Sequence, residues 1–260
     1  MQIENKPLYT RYVGHRSQPN EIYHMTDLRK QHLGLDPKTD SPMSDYHLTE
    51  GHYSPGELPE PTDDLEQLRN DMLEFGFCLV RDALSSEQLE VMRTRVDEQA
   101  AGERAADLGF FERKDKNGVS TNQFVFGLVN KGQCFRDVVE MLPEAISKGP
   151  LVEQIMSEVL GADYIVNQLC ANIAGKGGSP QGLHVGQGMI PKPWPPYPFE
   201  CNAAILLDDC SARNGGTILV PRSHRILTDA GEGPVSPLPP TVNATAPAGT
   251  ALIFEGRTVH

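Results

Sequence analysis

Apolar positions in the first sixty residues follow neither a helical nor a strand period. The stretch is polar and broken by Pro7, Pro19, Pro37, Pro42, Pro55 and Pro59, so residues 1–60 are predicted to form an extended arm draped over the main domain. The pattern changes at Asp63. Leu65, Leu68, Met72 and Phe75 fall on one helical face behind a capping box of Asp63 and Glu66. Gly76 stops that helix, and Phe77-Cys78-Leu79-Val80 reads as a short buried strand. Ser85 with Gln88 makes a second capping box ahead of Leu89, Met92 and Val96. A third helix is predicted from Pro150 through Val152, Ile155, Met156 and Val159 to the stop at Gly161.

After Gly161 the period shortens. Tyr164-Ile165-Val166 leads into an apolar run reaching Ile173, and a glycine-rich loop, 175–178, follows. Strands are predicted over 202–207 and 217–220, joined as a hairpin through Asn214-Gly215. A Pro/Thr/Gly-rich loop over 227–249 separates these from a strand over 250–254. Helices first and strands after predict an α+β, mainly β domain over 61–260, a jelly roll or sandwich backed by helices. No internal repeat is visible.

A length of 260 residues suffices for one large core. The net charge of −12 argues against nucleic acid or an anionic membrane as main partner. No apolar run has the length of a membrane span and the start is polar, so the expectation is a soluble cytoplasmic protein. The five cysteines fall in no C-x-x-C spacing; Cys78 and Cys170, inside apolar runs, are expected to be small buried hydrophobes in a reducing compartment. The arm holds His15, His24, His32, His47 and His52 at irregular spacings that do not suit a metal tract. It is a candidate cover for a site mouth, or an oligomer contact.

Two histidines far apart, His184 and His260, are weak evidence of chemistry alone, because a lone histidine near a strand is more often a hydrogen-bonded structural residue. Their setting adds to it. His184 leaves a glycine-rich loop and precedes Pro191-Lys192-Pro193-Trp194-Pro195-Pro196-Tyr197-Pro198, a segment able to wall a pocket; His260 follows a strand whose end sits beside the turn Gly256-Arg257. Two strand-end histidines on one sheet can converge on a metal, with non-haem Fe(II) the obvious case. Trp194, Tyr197 and Gln123 are candidate substrate-wall residues.

From near Leu65 onward the chain resembles the phytanoyl-CoA dioxygenase family of Fe(II)- and 2-oxoglutarate-dependent oxygenases. The resemblance rests on Phe75-Gly76-Phe77-Cys78-Leu79-Val80-Arg81-Asp82, Leu128-Val129-Asn130-Lys131-Gly132 and Val159-Leu160-Gly161-Ala162. It continues through His184, Asp208-Asp209, Asn214-Gly215-Gly216-Thr217 and Val220-Pro221-Arg222-Ser223-His224 to His260. It implies a double-stranded β-helix, O2 and a small molecule as substrates, and iron held by His184 and His260. Gly186 then stands at the carboxylate position of the family's His-x-Asp motif. The resemblance further implies that Gln168 and Asn172 line the 2-oxoglutarate pocket and that His224 is structural.

Two departures from the family pattern follow. Gly186 has no side chain to offer a metal. The related halogenases carry Gly or Ala here, where chloride supplies the missing negative charge. The alternatives are a hydroxylase that lost its carboxylate, naturally or by engineering, and an inactive relative acting as a binding or heteromeric partner. Glu200, Asp208 and Asp209 are substitute carboxylates that spacing does not rank. The second departure is the ending: the family has a further strand after the distal histidine, bearing an Arg that pairs with 2-oxoglutarate. A domain ending at His260 would expose sheet edge, so the chain is expected to continue. The available bases Lys176, Lys192, Arg222 and Arg257 are expected to be solvated.

Overall fold

A computed structural model describes residues 48–112, 121–178, 181–190, 194–229 and 237–260. Residues 1–47 of the predicted arm therefore lie outside the described residues, with His15, His24, His32 and His47, as does Lys192. The first helix, α1 (Leu65–Phe75), starts where the apolar period starts, but its cap is Asp64, whose side chain accepts the Gln67 amide at 2.9 Å. The predicted cap, Asp63, instead meets Arg81 and Lys148 at 2.8 and 3.2 Å. Strand β1 (Phe77–Val80) follows directly, wholly buried. Helix α2 (Ser86–Ala105) opens with the predicted capping box, Ser85 and Gln88 satisfying each other's backbone amides, and buries Met92, Val96 and Ala100 four residues apart.

Elements weakly marked in sequence come next: β2 (Phe110–Glu112), β3 (Asn122–Val125) and α3 (Gln133–Val139). Helix α4 (Gly149–Leu160) carries Pro150 in its first turn, where the missing amide proton costs nothing, and buries Val152, Ile155, Met156 and Val159. The run before Ile173 gives only β4 (Ala171–Ile173). Ile165 and Val166 are in no strand and lie exposed, as does Cys170, contrary to the expected burial. The remaining elements are β5 (Cys201–Ile205), β6 (Ile218–Leu219), α5 (Ser223–Asp229), β7 (Val242–Asn243) and β8 (Ala251–Glu255).

The expected hairpin between 202–207 and 217–220 does not form. Strand β5 pairs antiparallel with β8, Cys201 opposite Glu255 and Ile205 opposite Ala251, and β6 pairs with β7 out of the long loop. Asn214-Gly215 still turns the chain, but as a local bend held by Asn214 Oδ1 accepting the Ser211 amide at 2.9 Å. In jelly-roll folds neighbours in space are distant in sequence, so a strong turn dipeptide does not specify pairing. Strand β8 is central, with β1 on its other edge in the register Phe77 to Phe254. A second sheet orders β2, β3 and β4. The main core lies where α1, α2 and α4 cover β1 and β8, around Leu68, Cys78, Val80, Ile155 and Ile253.

Gly76 ties α1 to this sheet. It sits at φ 83°, and a β-carbon there would lie 2.4 Å from Thr258 Oγ1 and 2.6 Å from His224 Nδ1. The left-handed backbone and the close approach both demand glycine. Gly76→Ala is therefore expected to cost about 2–4 kcal/mol in urea unfolding; a loss within measurement error would show that the crossing relaxes freely.

Candidate functional site

The chain after β8 turns at Gly256 and runs beside the segment that starts at Leu183. His184 and His260 face each other as an antiparallel backbone pair, with N–H to O distances of 2.8 and 2.9 Å in the two directions. Their rings lie 4.3 Å apart at 52°, and the Phe254 ring stands 4.5 Å from His260 on β8. Each Nδ1 is bonded to the carbonyl two residues earlier in its own chain, His184 to Gly182 at 3.0 Å and His260 to Thr258 at 2.9 Å. A carbonyl can only accept, so each Nδ1 carries a proton and Nε2 is the nitrogen left to face a metal. Metal-binding histidines are commonly set this way. Burial, reinforced by the neighbouring His184, brings the His260 pKa down to about 4, which keeps that ring neutral at ordinary pH.

Gly186 opens a short 3-10 turn, Gly186–Met189, two residues after His184. Gln187, 1% exposed, receives the Phe199 amide on Oε1 at 3.0 Å and gives its own amide to Gly256 O at 3.0 Å. The Gly256 amide in turn bonds Glu200 O at 2.7 Å. Three segments thus cross at Gly256, where a β-carbon would come within 2.8 Å of the Glu200 β-carbon. This crossing places the Glu200 side chain against Gly186: a β-carbon on Gly186 would lie 2.7 Å from Glu200 Oε1 and 3.0 Å from Oε2. Glu200 Oε1 also accepts Asn202 Nδ2 at 3.1 Å. The donor set therefore suits iron at two imidazoles, with no side chain at the third position. Among the described residues no group of three His, Cys, Asp or Glu side chains closes on one point.

The other predicted site residues are spread more widely. Trp194 is 5% exposed and donates its indole N–H to Ile190 O at 2.8 Å, within an apolar cluster of Val185, Val220, Leu238 and Val259. That cluster backs the histidine pair, so Trp194 is a packing residue and not an open wall. Gln123 is likewise corrected: 2% exposed, it gives Nε2 to Ala100 O at 3.1 Å and receives Arg104 on Oε1, which ties β3 to α2. Tyr197 is half-buried, edge-on to Phe199 at 5.6 Å. Asn172 lies opposite Phe124 and therefore on the face that carries Phe124 and Phe110, while Gln168 is exposed just before β4. That face borders a hollow of about 280 Å³ lined by Phe110, Phe124, Phe126 and Lys131, the last paired with Glu103.

Two expected surface cations are engaged. Arg222 bonds Glu74 at 2.7 Å and stacks over the Phe75 ring at 4.7 Å. Arg257 is buried, 3% exposed, and grips Glu255, 0% exposed, through Nε at 2.7 Å and a second contact from Nη2. Charge spacing gives no sign of this pair, because isolated Glu and Arg residues usually read as solvated. Beside it His224, 2% exposed, bonds Leu73 O through Nε2 at 3.2 Å. Burial holds the His224 pKa below its ordinary value, with Glu255 pulling partly the other way. A depressed histidine pKa means that the unfolded chain binds the proton more readily. Its contribution is complete above the ordinary pKa near 6.5 and is lost as pH falls below it. Urea midpoints should therefore drop from pH 7 to pH 5, and His224→Gln should flatten that slope; an unchanged slope would mean that other groups set it.

A family model described as phytanoyl-CoA dioxygenase (PhyH) matches residues 72–260. Among curated proteins, dioxygenase af480 of Aspergillus fumigatus is 26% identical over 200 residues, 75% of this chain and 60% of that protein. The chain thus spans under two thirds of this relative. Among solved structures, the non-heme alpha ketoglutarate dependent carbocyclase SnoK from nogalamycin biosynthesis superposes with a TM-score of 0.57 at 19% identity, covering 77% of this chain and 79% of that one. The epimerase SnoN, in complex with Fe3+, alpha ketoglutarate and nogalamycin RO, gives 0.53 at 16% identity, covering 75% of each chain. EctD from S. alaskensis with bound Fe gives 0.53 at 14% identity, covering 83% and 76%. At these identities the likeness establishes the jelly-roll fold.

Proposed function

The chain belongs to the phytanoyl-CoA dioxygenase family, and from that premise we propose that it is an Fe(II)/2-oxoglutarate-dependent oxidoreductase acting on an unactivated C–H bond of a small organic molecule. The observation that carries this reading is the histidine pair, in which both Nδ1 protons are taken by backbone carbonyls and both Nε2 atoms are left for one metal. When bound, iron supplies, with 2-oxoglutarate and O2, the oxidising power for attack on that bond. The chain's own residues hold and shield. His184 and His260 provide two imidazole donors, and Phe254 packs on His260. Val185, Val259 and Trp194 close the back of the pair to water. The family pattern assigns Gln168 and Asn172 to 2-oxoglutarate and leaves Tyr197 as the substrate-wall candidate.

Gly186 removes the family's carboxylate, the feature that a halogenase-type site and a carboxylate-deleted hydroxylase share. The halogenase reading needs chloride in the opened position, and the Glu200 carboxylate crowds that space with a charge of the same sign. We therefore favour the hydroxylase-type site. Anaerobic addition of Fe(II) and 2-oxoglutarate to the full chain should give a weak visible charge-transfer band, absent in His184→Ala. A protein that binds neither would instead be a non-catalytic partner that kept the fold.

A further inference from the structure

We propose that Glu200 supplies the anionic ligand that Gly186 cannot, completing the metal site from the strand opposite. This inference rests on the iron-site reading above and deepens it. Three carboxylates are candidates by sequence, and the sheet separates them. Strand β5 runs from Cys201, opposite Glu255, to Ile205, opposite Ala251. Glu200 therefore lies at the end where β8 continues toward His260, and Asp208 and Asp209 lie beyond the other end. Both of these are also occupied there: Asp208 stands 3.5 Å from Arg93, and Asp209 accepts the Ala248 amide at 2.9 Å. Glu255, the remaining carboxylate near the crossing, is held by Arg257.

Only Glu200 meets Gly186. Its two oxygens lie 2.7 and 3.0 Å from the place where a β-carbon on residue 186 would be. A carboxylate from residue 200 thus stands beside the position that a side chain on residue 186 would take. Its backbone is clamped on both sides, by Gly256 at 2.7 Å and, through Phe199, by Gln187 at 3.0 Å. Ligation requires the carboxylate to turn from Asn202 toward the two Nε2 atoms, since the three side chains do not close on one point as they stand. The charge balance is that of the family site: a divalent ion, two neutral imidazoles and one carboxylate. A halide has no vacancy to fill while Glu200 is present.

The test uses Co(II), whose visible absorption reports binding without turnover, in chloride-free buffer with the full chain. Glu200→Gln, which keeps the shape and removes the charge, should weaken Co(II) binding by ~10-fold or more. Glu200→Ala should do the same and, unlike the wild type, should regain affinity on addition of chloride, because it opens the position at Gly186. The double variant Gly186→Asp with Glu200→Ala should restore tight binding, which excludes misfolding as the cause of the single-variant loss. If Glu200→Gln binds Co(II) like the wild type while His184→Ala does not, Glu200 is no ligand and the iron-site reading stands without it. Wild-type affinity that rises with chloride would assign the position to a halide and overturn the proposal. No Co(II) binding by the wild type would sink both.

Discussion

Arg257→Ala is expected to destabilise the protein by about 3–5 kcal/mol, since it strands a carboxylate in an apolar interior. Glu255 ends β8, the central strand, and is 0% exposed; its partner Arg257 is 3% exposed and sits on the turn that leads to His260. Their contacts through Nε and Nη2 satisfy both carboxylate oxygens. The carboxylate's reach is visible in Cys201, directly opposite, whose thiol is pushed up first by burial and then by Glu255 and Glu200. Removing the guanidinium leaves this negative charge with no water to receive it. Replacing both partners, Glu255→Leu with Arg257→Met, should recover most of the loss, because a buried pair is costly to break and cheap to delete whole. Urea unfolding of the three variants measures the effect, and a single-variant loss under about 1 kcal/mol would mean that Glu255 finds water or another donor.

His260→Ala should weaken divalent-metal binding by at least ~100-fold, beyond the 10- to 100-fold typical for loss of a mere orienting partner. In the proposed site the two imidazoles are the nitrogen donors, brought together by the paired backbone of residues 184 and 260. Removing one leaves a single imidazole beside the Glu200 carboxylate, short of the three protein donors that the proposed site needs. The fold should survive, because the backbone bonds between residues 184 and 260 do not involve the ring. His224→Ala is the contrasting variant: it should lower stability through the Leu73 contact and leave metal affinity unchanged.

Local signals were legible in the sequence, and long-range ones were not. The Ser85–Gln88 box, the stop at Gly76 and the Pro150 start each depend on a few neighbouring residues, and each appears at the expected place. The Asp63 cap misses by one position because its carboxylate is drawn to Arg81 and Lys148, partners that no local pattern includes. The hairpin fails for a similar reason: β8 lies far along the chain yet offers β5 a longer buried edge than β6 does. Cys170 sits in an apolar run that pairs only from Ala171 onward, so it stays exposed.

At the site, the histidine positions followed from an ordered set of motifs, and the structure brings His184 and His260 face to face. Gln123 and Trp194 were drawn to the site by their neighbours, while their polar atoms are committed elsewhere. Glu200 was one of three carboxylates that spacing did not rank. Its place depends on the crossing at Gly256, which comes from far along the chain to meet the segments at Gln187 and Glu200.

The most direct test of the account is X-ray absorption at the cobalt edge of the Co(II)-loaded full chain, which counts imidazole rings on the metal. The prediction is two rings in the wild type and one in His184→Ala. A wild-type metal with no imidazole, or a ring count untouched by His184→Ala, would contradict the assignment of this histidine pair as the metal centre.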